Sequence, residues 1–198
     1  MSLPIAKLAG VLLAAGASTR LGRPKQLIEW RGQTLISRAV ANLVSMCGAR
    51  VTVVTGAHAV EVESDIADRK VIFVHNPDWQ SGMASSLRVG VNAAAGSPAD
   101  ALLVMLCDQP LVTLDDLVRL ADAWQNQPNC PVAAGYGAIC GVPAIIPAAL
   151  LPELSALQDD SGARAFLRNR DDVQVVDIST ALLDIDTVED LLQLQEAE

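Results

Sequence analysis

The stretch LAGVLLAAGASTRLGRPK, residues 8–25 of this 198-residue chain, indicates both the fold and the site. Its first six residues, LAGVLL, are typical of a buried β-strand. Small residues follow, and Arg20, Arg23 and Lys25 then stand within six positions. Small residues let a backbone approach a ligand and expose its N–H groups, and basic side chains neutralise phosphate. The stretch therefore predicts an α/β fold with a polyphosphate site beside its first strand.

This loop matches neither of the two familiar glycine-rich nucleotide loops. Gly16 and Gly22 are its only glycines, so the GxGxxG dinucleotide motif is absent. No Ser or Thr follows a Gly-Lys pair, so the P-loop spacing fails as well. A Rossmann dehydrogenase is therefore disfavoured. An ordinary solvated loop is the remaining alternative, and the clustering of three of the fourteen basic residues argues against it.

Composition supports the same fold class and excludes some partners. Hydrophobic residues make up 51% of the chain and aromatic residues only 3%, so the core must be aliphatic, as in parallel strands covered by helices. The net charge of -9 is opposite in sign to that of a typical nucleic-acid or anionic-membrane binder. We therefore expect one domain over residues 1–198, with neither nucleic acid nor a membrane as partner.

The cysteines and the N-terminal residues bear on the cellular compartment. The cysteines form no CxxC pair and show no metal-ligand spacing with His58 or His75, which is typical of buried thiols in a reducing cytosol. Residues 7–17 imitate a signal peptide, but one lysine precedes the apolar run and a basic loop follows it. No apolar run reaches the roughly 18 residues of a membrane span. We expect a cytoplasmic protein.

Short apolar runs alternate with helical patterns along the chain, which is typical of βαβ units. Strands are predicted at residues 8–13, 50–55, 71–74, 101–107, 132–136, 139–146 and 173–176. Helices are predicted at residues 34–46, 60–67, 85–95, 114–124, 148–154 and 162–168, and from 187 onward. Residues 14–33 are predicted as a loop, and the pair of strands around Gly137 as a hairpin. The expected fold is a three-layer, Rossmann-like α/β fold with a mostly parallel sheet and an antiparallel C-terminal addition.

Three segments with polar or small residues follow predicted strands directly: residues 14–25, residues 76–86 and Asp108. Ligands of open α/β sheets bind at the carboxyl ends of the strands. Asp108 could hold Mg²⁺, although an Asp before Gln-Pro is equally typical of a turn. Asp184 or Asp186 could share the ion, but they precede a helix that begins with the capping pattern Thr-x-x-Asp.

Five motifs in this order and spacing resemble the nucleotidyltransferases with a GT-A-like pyrophosphorylase fold, and more closely the molybdenum cofactor cytidylyltransferases. The motifs are LAAGASTRLGRPKQL (13–27), NPDWQSGMASSL (76–87), DQP (108–110), DSGAR (160–164) and DIDT (184–187). The resemblance covers nearly the whole chain. It has two departures: Val142 replaces a residue that is often His or Asn, and Asp159 replaces a Gly. Both lie in the part that faces the acceptor in this family.

The resemblance implies a Mg²⁺-dependent reaction with CTP. The terminal phosphate of molybdopterin bearing molybdenum would attack the α-phosphorus of CTP, and pyrophosphate would leave. The Ala-Ala-Gly sequence at residues 14–16 resembles the branch that uses CTP, whereas the guanylyl branch usually has Ala-Gly-Gly.

The resemblance also implies roles for individual residues. Arg20 and Lys25 would be the catalytic cations that neutralise the triphosphate and the transition state. Asp108 would hold Mg²⁺, with Asp186 as the second ligand and Asp184 in reserve. The nucleotide would be held by Leu13, Ala14, Ala15, Gly16, Gly82 and Ser86.

Two other functions fit the same residues. One is a related nucleotidyltransferase that uses another NTP or another phosphorylated acceptor. The other is a non-catalytic carrier that binds molybdenum cofactor and delivers it. A molybdoenzyme or a chaperone could be the partner of the protein. A carrier does not need Arg20, Lys25 and Asp108 together, whereas nucleotidyl transfer needs positioning and charge neutralisation without a nucleophilic side chain.

Overall fold

A computed structural model describes residues 8–157 and 162–196. Its strands are β1 (Leu8–Leu13), β2 (Glu29–Trp30), β3 (Gln33–Thr34), β4 (Val51–Thr55), β5 (Ile72–His75), β6 (Ala101–Leu106), β7 (Val132–Tyr136), β8 (Ile139–Pro147) and β9 (Gln174–Asp177). Its α-helices are α1 (Leu35–Cys47), α2 (Ala59–Asp65), α3 (Met83–Ala94), α4 (Leu114–Asn126), α5 (Leu151–Ser155), α6 (Gly162–Arg168) and α7 (Val188–Glu196).

Seven strands form one sheet in the order β5-β4-β1-β6-β8-β7-β9. The strands β5, β4, β1 and β6 are parallel, and β6 lies at the centre, as its long apolar run predicts. β8 runs antiparallel to both β6 and β7, and β9 is parallel to β7. The expected mostly parallel sheet with an antiparallel C-terminal addition is therefore confirmed.

Helices cover both faces of the sheet because the inner strands β1, β4 and β6 are apolar and buried on both sides. On one face, Ile36 and Leu43 of α1 and Leu120 of α4 belong to one fully buried cluster. On the other face, α3 and α6 supply Leu87 and Phe166 to a second cluster. Burying one such side chain contributes about 1.5–3 kcal/mol, so these two clusters hold the three layers together.

Helix α3 lies close against the sheet because it carries a glycine, Gly90, at its contact with β1 and β4. A Cβ at Gly90 would stand 2.6 Å from Cγ1 of Val11, closer than real side chains allow. The close approach of helix and strand places the first turn of α3 beside the end of β1.

Some local predictions differ from the structure. Residues 14–33 are not all loop, since Lys25–Leu27 form a 3-10 turn and β2 and β3 form a two-stranded hairpin. Strands of two residues are too short to show alternation in a sequence. Helix α3 starts at Met83, directly after Gly82, whose φ of +100° suits glycine. Residues 160–161 of the DSGAR motif lie outside the described residues.

Side chains cap three helices, and one of these caps is the predicted Thr-x-x-Asp pattern. Thr34 and Thr113 accept hydrogen bonds from backbone N–H groups in the first turns of α1 and α4. Before α7, Asp190 Oδ2 accepts from the backbone N–H of Thr187 and of Asp186, at 2.7 and 2.9 Å. Within the described ranges, none of the helices is both long enough and apolar enough to pass through a membrane.

Candidate active site

The loop after β1 has its shape fixed by hydrogen bonds to the rest of the protein. The buried side chain of Gln26 donates from Nε2 to the carbonyl oxygens of Ala14 and Gly16, each at 2.9 Å. Between these two, the Ala15 carbonyl accepts from the backbone N–H of Ala57 at 3.0 Å. Three consecutive carbonyls are thus bound, so the loop keeps its conformation without a ligand. The sequence gives no signal for Gln26, because a polar residue in a basic loop is typical of exposed positions.

The segment after β4 supports this loop at close range. A Cβ at Gly56 would lie 2.6 Å from the Ala15 carbonyl oxygen and 2.9 Å from Cβ of Trp79. The ring Nε2 of His58 lies 3.2 Å from the Ala17 carbonyl oxygen. Only a residue without a side chain fits at position 56, and its role was not evident from the sequence.

Lys25 joins two carboxylates that are far apart in the chain. Its Nζ donates to Asp108 Oδ2 at 2.5 Å and to Asp186 Oδ1 at 2.7 Å, and its side chain is 15% exposed. Burial alone would lower the pKa of Lys25, but the two carboxylates outweigh it and raise that pKa well above its usual value. Lys25 therefore keeps its positive charge throughout the physiological pH range.

Arg20 extends this network to the surface. Its guanidinium donates to Asp186 Oδ2 at 2.8 Å, and 71% of its side chain is exposed. An ion pair this exposed contributes at most about 1 kcal/mol to stability. The guanidinium can therefore change partners at little cost. Arg23, the third cation of the loop, instead lines a separate cavity with Trp30 and Leu191.

Asp108 has the features expected of a cation ligand. The residue is 8% exposed, and its Oδ1 is buried with no hydrogen-bond partner among the described residues. An unpartnered buried oxygen costs about 1–3 kcal/mol, which a bound cation would offset. Within the described part of the chain no three His, Cys, Asp or Glu side chains form a metal-binding group. Asp108 and Asp186 would leave the other positions around Mg²⁺ to water and phosphate oxygens, as this ion prefers.

Asp184 and Asp186 lie in different environments, and their pKa values shift in opposite directions. The peptide N–H of Ile185, between them, donates to the Asp108 carbonyl at 2.9 Å and fixes the segment. Burial tends to raise the pKa of Asp186, but the hydrogen bond and charge of Lys25 prevail and lower it. Burial and the negative charge of Asp108 raise the pKa of Asp184 to about 6. Asp186 thus belongs to the Lys25 network, and Asp184 lines a different cavity.

A cavity of about 320 Å³ lies against the loop, and we call it the β1 cavity. Of the residues proposed for nucleotide binding, it is lined by Leu13, Ala15, Gly16, Gly82 and Ser86, and Asp108 also reaches it. Ala14 departs from the expectation. Its side chain packs in the cluster on the opposite face of the sheet, as alternation along a strand requires. Its N–H and carbonyl bond to Val54 and Gln26, so it has no free donor for a ligand.

A second cavity, of about 190 Å³, adjoins the first, and we call it the β8 cavity. The two share the walls formed by Leu13, Met83 and Leu106. The remaining walls of the β8 cavity are Gln109, Tyr136, Val142, Gly162, Ala163, Arg164 and Asp184. A further cavity of about 350 Å³ is lined in part by Ala9 and Ala101, near the amino ends of β1 and β6, and has no charged residue in its walls.

These features define a class: an α/β protein with cations and carboxylates at the carboxyl edge of its sheet, beside a cavity of nucleotide size. The comparison with protein families agrees. The chain belongs to the MobA-like NTP transferase family, whose domain matches residues 10–174. It is therefore an enzyme of the nucleotidyltransferase type, and the family expected from the motifs is confirmed.

Individual relatives cover almost the full chain. The chain is 37% identical to the nicotine blue oxidoreductase of Paenarthrobacter nicotinovorans, over 93% of this chain and 95% of that protein. It is 24% identical to the molybdenum cofactor cytidylyltransferase of Escherichia coli K12, over 94% of each. The crystal structure of Rv0371c from Mycobacterium tuberculosis H37Rv superposes with a TM-score of 0.79 at 28% identity, covering 99% of this chain and 100% of that one. A manganese complex of the same protein superposes with a TM-score of 0.76 at 26% identity, covering 98% and 100%.

Proposed function

We propose that the protein is a Mg²⁺-dependent cytidylyltransferase that transfers CMP from CTP to the phosphate of molybdenum-molybdopterin and releases pyrophosphate. The observation that carries the proposal is the meeting of Lys25, Asp108 and Asp186 beside the β1 cavity. The relationship to a cytidylyltransferase supports the nucleotide, and the manganese complex of a related protein supports a divalent cation.

In this proposal the β1 loop binds the triphosphate. Ala15 and Gly16 line the cavity and let the nucleotide approach the main chain, because neither has a bulky side chain. Ala14 acts behind them, as a fixed point of the loop. Gly82 and Ser86, in the cavity wall formed by the start of α3, contact the base and ribose. Asn76 donates to the Ser86 hydroxyl at 2.9 Å and so orients it.

Arg20 and Lys25 are the catalytic cations of the proposal. Both are paired with carboxylates, and both exchange these partners for phosphate oxygens when CTP binds. Positive charge placed on the oxygens that gain charge in the transition state accelerates the reaction by about 10²–10³ for one donor, by analogy with an oxyanion hole. Lys25 is the more important of the two, since it is mostly buried and therefore less screened by water.

Asp108 and Asp186 are the residues that would hold Mg²⁺. The unpartnered Oδ1 of Asp108 provides a ligand oxygen without breaking any described hydrogen bond. When bound, the ion would supply charge neutralisation on the phosphate oxygens. Because Lys25 contacts both carboxylates, it lies close enough to bind the same phosphates.

No side chain has to act as a nucleophile, because the acceptor phosphate attacks phosphorus itself. Cys107 precedes Asp108, but burial and the Asp108 charge raise the pKa of its thiol to about 12, so it remains protonated. The acceptor would occupy the β8 cavity, next to the nucleotide. The buried, unpaired thiols of Cys47 and Cys107 are consistent with a reducing cytoplasm, and a molybdoenzyme or chaperone would receive the product.

The experiment is a comparison of CTP, GTP, ATP and UTP as substrates with molybdenum-molybdopterin and Mg²⁺, measured by pyrophosphate release. We expect release with CTP and at least tenfold less with the others. Preference for another nucleotide would support the related transferase. Cofactor binding that needs neither Mg²⁺ nor any NTP would support the carrier. Asp108→Asn keeps the shape of the side chain and removes its charge, so it serves as the inactive control.

A second candidate function is an oxidoreductase, because 37% identity links the chain to nicotine blue oxidoreductase over nearly its whole length. In this case NADH or NADPH would bind along the β1 loop, in place of a GxGxxG loop. When bound, such a dinucleotide would supply a hydride, which carries two electrons and one proton, and the reduced substrate would take a second proton from water. Oxidation of NADH or NADPH that depends on added nicotine blue, with no pyrophosphate released from any NTP, would favour this function.

A further inference from the structure

We propose that Arg164 and Tyr136 form a second anion-binding site, in the β8 cavity, which receives an oxyanion of the acceptor separately from the cations that hold the nucleotide. The inference rests on the proposed function, since it concerns the acceptor of that reaction. It assigns Arg164 a direct contact with the acceptor, and it gives the acceptor a stated chemistry: a compact, flat molecule with an anionic oxygen at one end.

The three cations at the edge of the sheet, Arg20, Lys25 and Arg164, differ in their partners. Arg20 and Lys25 are both engaged with carboxylates. Arg164 also lines a cavity, where it hydrogen-bonds to the Tyr136 side chain, but it takes part in no ion pair between described residues, and one such bond leaves other N–H groups of its five. Its guanidinium therefore has donors for an anion, and guanidinium groups bind carboxylate and phosphate oxygens in a planar, two-point arrangement.

Two buried polar residues, Tyr136 and Gln109, line the same cavity as Arg164. Burial raises the pKa of the Tyr136 phenol, and the positive charge of Arg164 opposes that rise. Tyr136 is therefore protonated at neutral pH, so its hydroxyl can donate to the same anion. Gln109 is 5% exposed, and its Oε1 is buried without a hydrogen-bond partner among the described residues. With the carboxyl of Asp184, it can accept from N–H groups at the other end of a ligand.

Two glycines keep this arrangement open. A Cβ at Gly141 would lie 2.6 Å from the Tyr136 hydroxyl and 3.9 Å from Nε of Arg164. A Cβ at Gly162 would lie 2.9 Å from Sδ of Met83, in a wall that both cavities share. Strand β8 and the start of α6 thus lack side chains where the polar groups of the cavity need space.

The size and walls of the cavity define the ligand further. A volume of about 190 Å³ fits a small ring system, and Leu13, Met83, Leu106 and Val142 supply apolar walls for its faces. These side chains carry no nitrogen or oxygen atoms, so the ring faces of this ligand meet a hydrocarbon surface. Since the two cavities share walls, an anion on Arg164 lies next to the nucleotide.

The experiment uses phenyl phosphate as the probe, because it combines a flat ring with a phosphomonoester. Its dissociation constant for the full-length protein is measured by NMR titration, with and without a saturating, non-hydrolysable CTP analogue and Mg²⁺. The analogue fills the β1 cavity and prevents phenyl phosphate from binding to Lys25 there. The variants are Arg164→Gln, Tyr136→Phe and Gly141→Ala. Arg168→Gln is the matched control, because Arg168 is an exposed arginine of the same helix that does not line the cavity.

We expect Arg164→Gln to weaken phenyl phosphate binding about tenfold or more, as for loss of one charged hydrogen bond, and Arg168→Gln to leave it unchanged. Arg164→Lys restores part of the loss, and binding of the CTP analogue is unaffected by either change. Arg164-dependent binding of phenyl phosphate in a protein that binds no CTP analogue would support this site and reject the proposed transferase. The proposal is overturned if wild-type protein does not bind the probe, or if binding depends on Lys25 and not on Arg164.

Discussion

The β1 cavity and the β8 cavity share three wall residues, but their polar groups have different partners. Beside the β1 cavity, the cations and carboxylates bind one another, the loop carbonyls are held by Gln26 and Ala57, and Asp108 Oδ1 is a buried oxygen without a described donor. In the β8 cavity, Arg164 has no described ion-pair partner and Gln109 has a buried oxygen without a donor. The oxygen left at the first cavity is a carboxylate oxygen, which suits a cation, whereas the second cavity presents a guanidinium and an amide oxygen, which suit the anionic and N–H groups of a ligand.

The difference follows the topology of the sheet. The β1 cavity lies at the ends of parallel strands, where neighbouring loops reach one edge and can hydrogen-bond to each other. The β8 cavity lies beside the antiparallel strands β7 and β8 and the short helix α6. In the proposed function, the nucleotide would bind in the parallel half and the acceptor in the added half. The predictions below test this contrast, from the largest expected effect to the smallest.

Loss of the central cation should have the largest effect. Lys25→Ala removes the positive charge between Asp108 and Asp186, so we expect turnover to fall by about 10²–10³, with Asp108→Ala at least as severe. Pyrophosphate release measures the effect, and circular dichroism checks that the fold is intact. Lys70→Ala, in an exposed turn, is the matched control. Near-normal turnover without Lys25 would contradict its role.

Loss of the buried amide behind the loop should affect stability next most strongly. Gln26→Leu fills the same space but leaves the Ala14 and Gly16 carbonyls without donors, so we expect a loss of about 2 kcal/mol in the free energy of unfolding. Urea denaturation measures it. Phenyl phosphate binding in the β8 cavity should not change. An unchanged urea midpoint would show that the loop does not depend on Gln26.

A methyl group added at Gly56 should weaken nucleotide binding and leave binding in the β8 cavity unchanged. Gly56→Ala adds a Cβ at 2.6 Å from the Ala15 carbonyl, so the loop must shift. We expect about tenfold weaker binding of the CTP analogue by calorimetry, comparable to the loss of one good hydrogen bond. Gly96→Ala is the control, because a Cβ there meets no atom within 4 Å. Equal affinities for the two variants would contradict a fixed loop.

Thiol labelling should show the smallest effect, a difference in reactivity between the buried cysteines of the parallel half and Cys140 of the antiparallel half. With a pKa of about 12, only about one Cys107 thiol in ten thousand is ionised at pH 8, and Cys47 behaves alike. We expect Ellman's reagent to leave both unmodified in the folded protein. Cys140, on β8 and only partly buried, should react first, together with Cys130. Burial raises the pKa of the Cys140 thiol, so a higher pH should speed its labelling. Mass spectrometry identifies the labelled cysteines. Early labelling of Cys107 would show that the thiol after β6 is accessible to the reagent, which would contradict this prediction.

The sequence predicts those features that follow from the order of strands and helices along the chain. Alternating strands and helices are sufficient for the sheet, and the rule that strand ends share one edge brings Lys25, Asp108 and Asp186 together across 83 and 161 residues. Gln26 and Gly56 could not be found this way, because their importance lies in atoms of another segment. Ala14 shows the same limit, since its N–H and its carbonyl are bound by Val54 and by Gln26, which lie in other segments.

The pairing of Arg20 and Lys25 with the protein's own acids has a consequence for selectivity. A free phosphate or sulfate that enters alone must compete with Asp108 and Asp186 for both cations, and it offers those acids nothing in return. A polyphosphate that enters with a divalent ion gives the acids a new counterion while it takes over the cations. In the proposed reaction, this pairing would favour a polyphosphate accompanied by a divalent ion over small anions that bind without one.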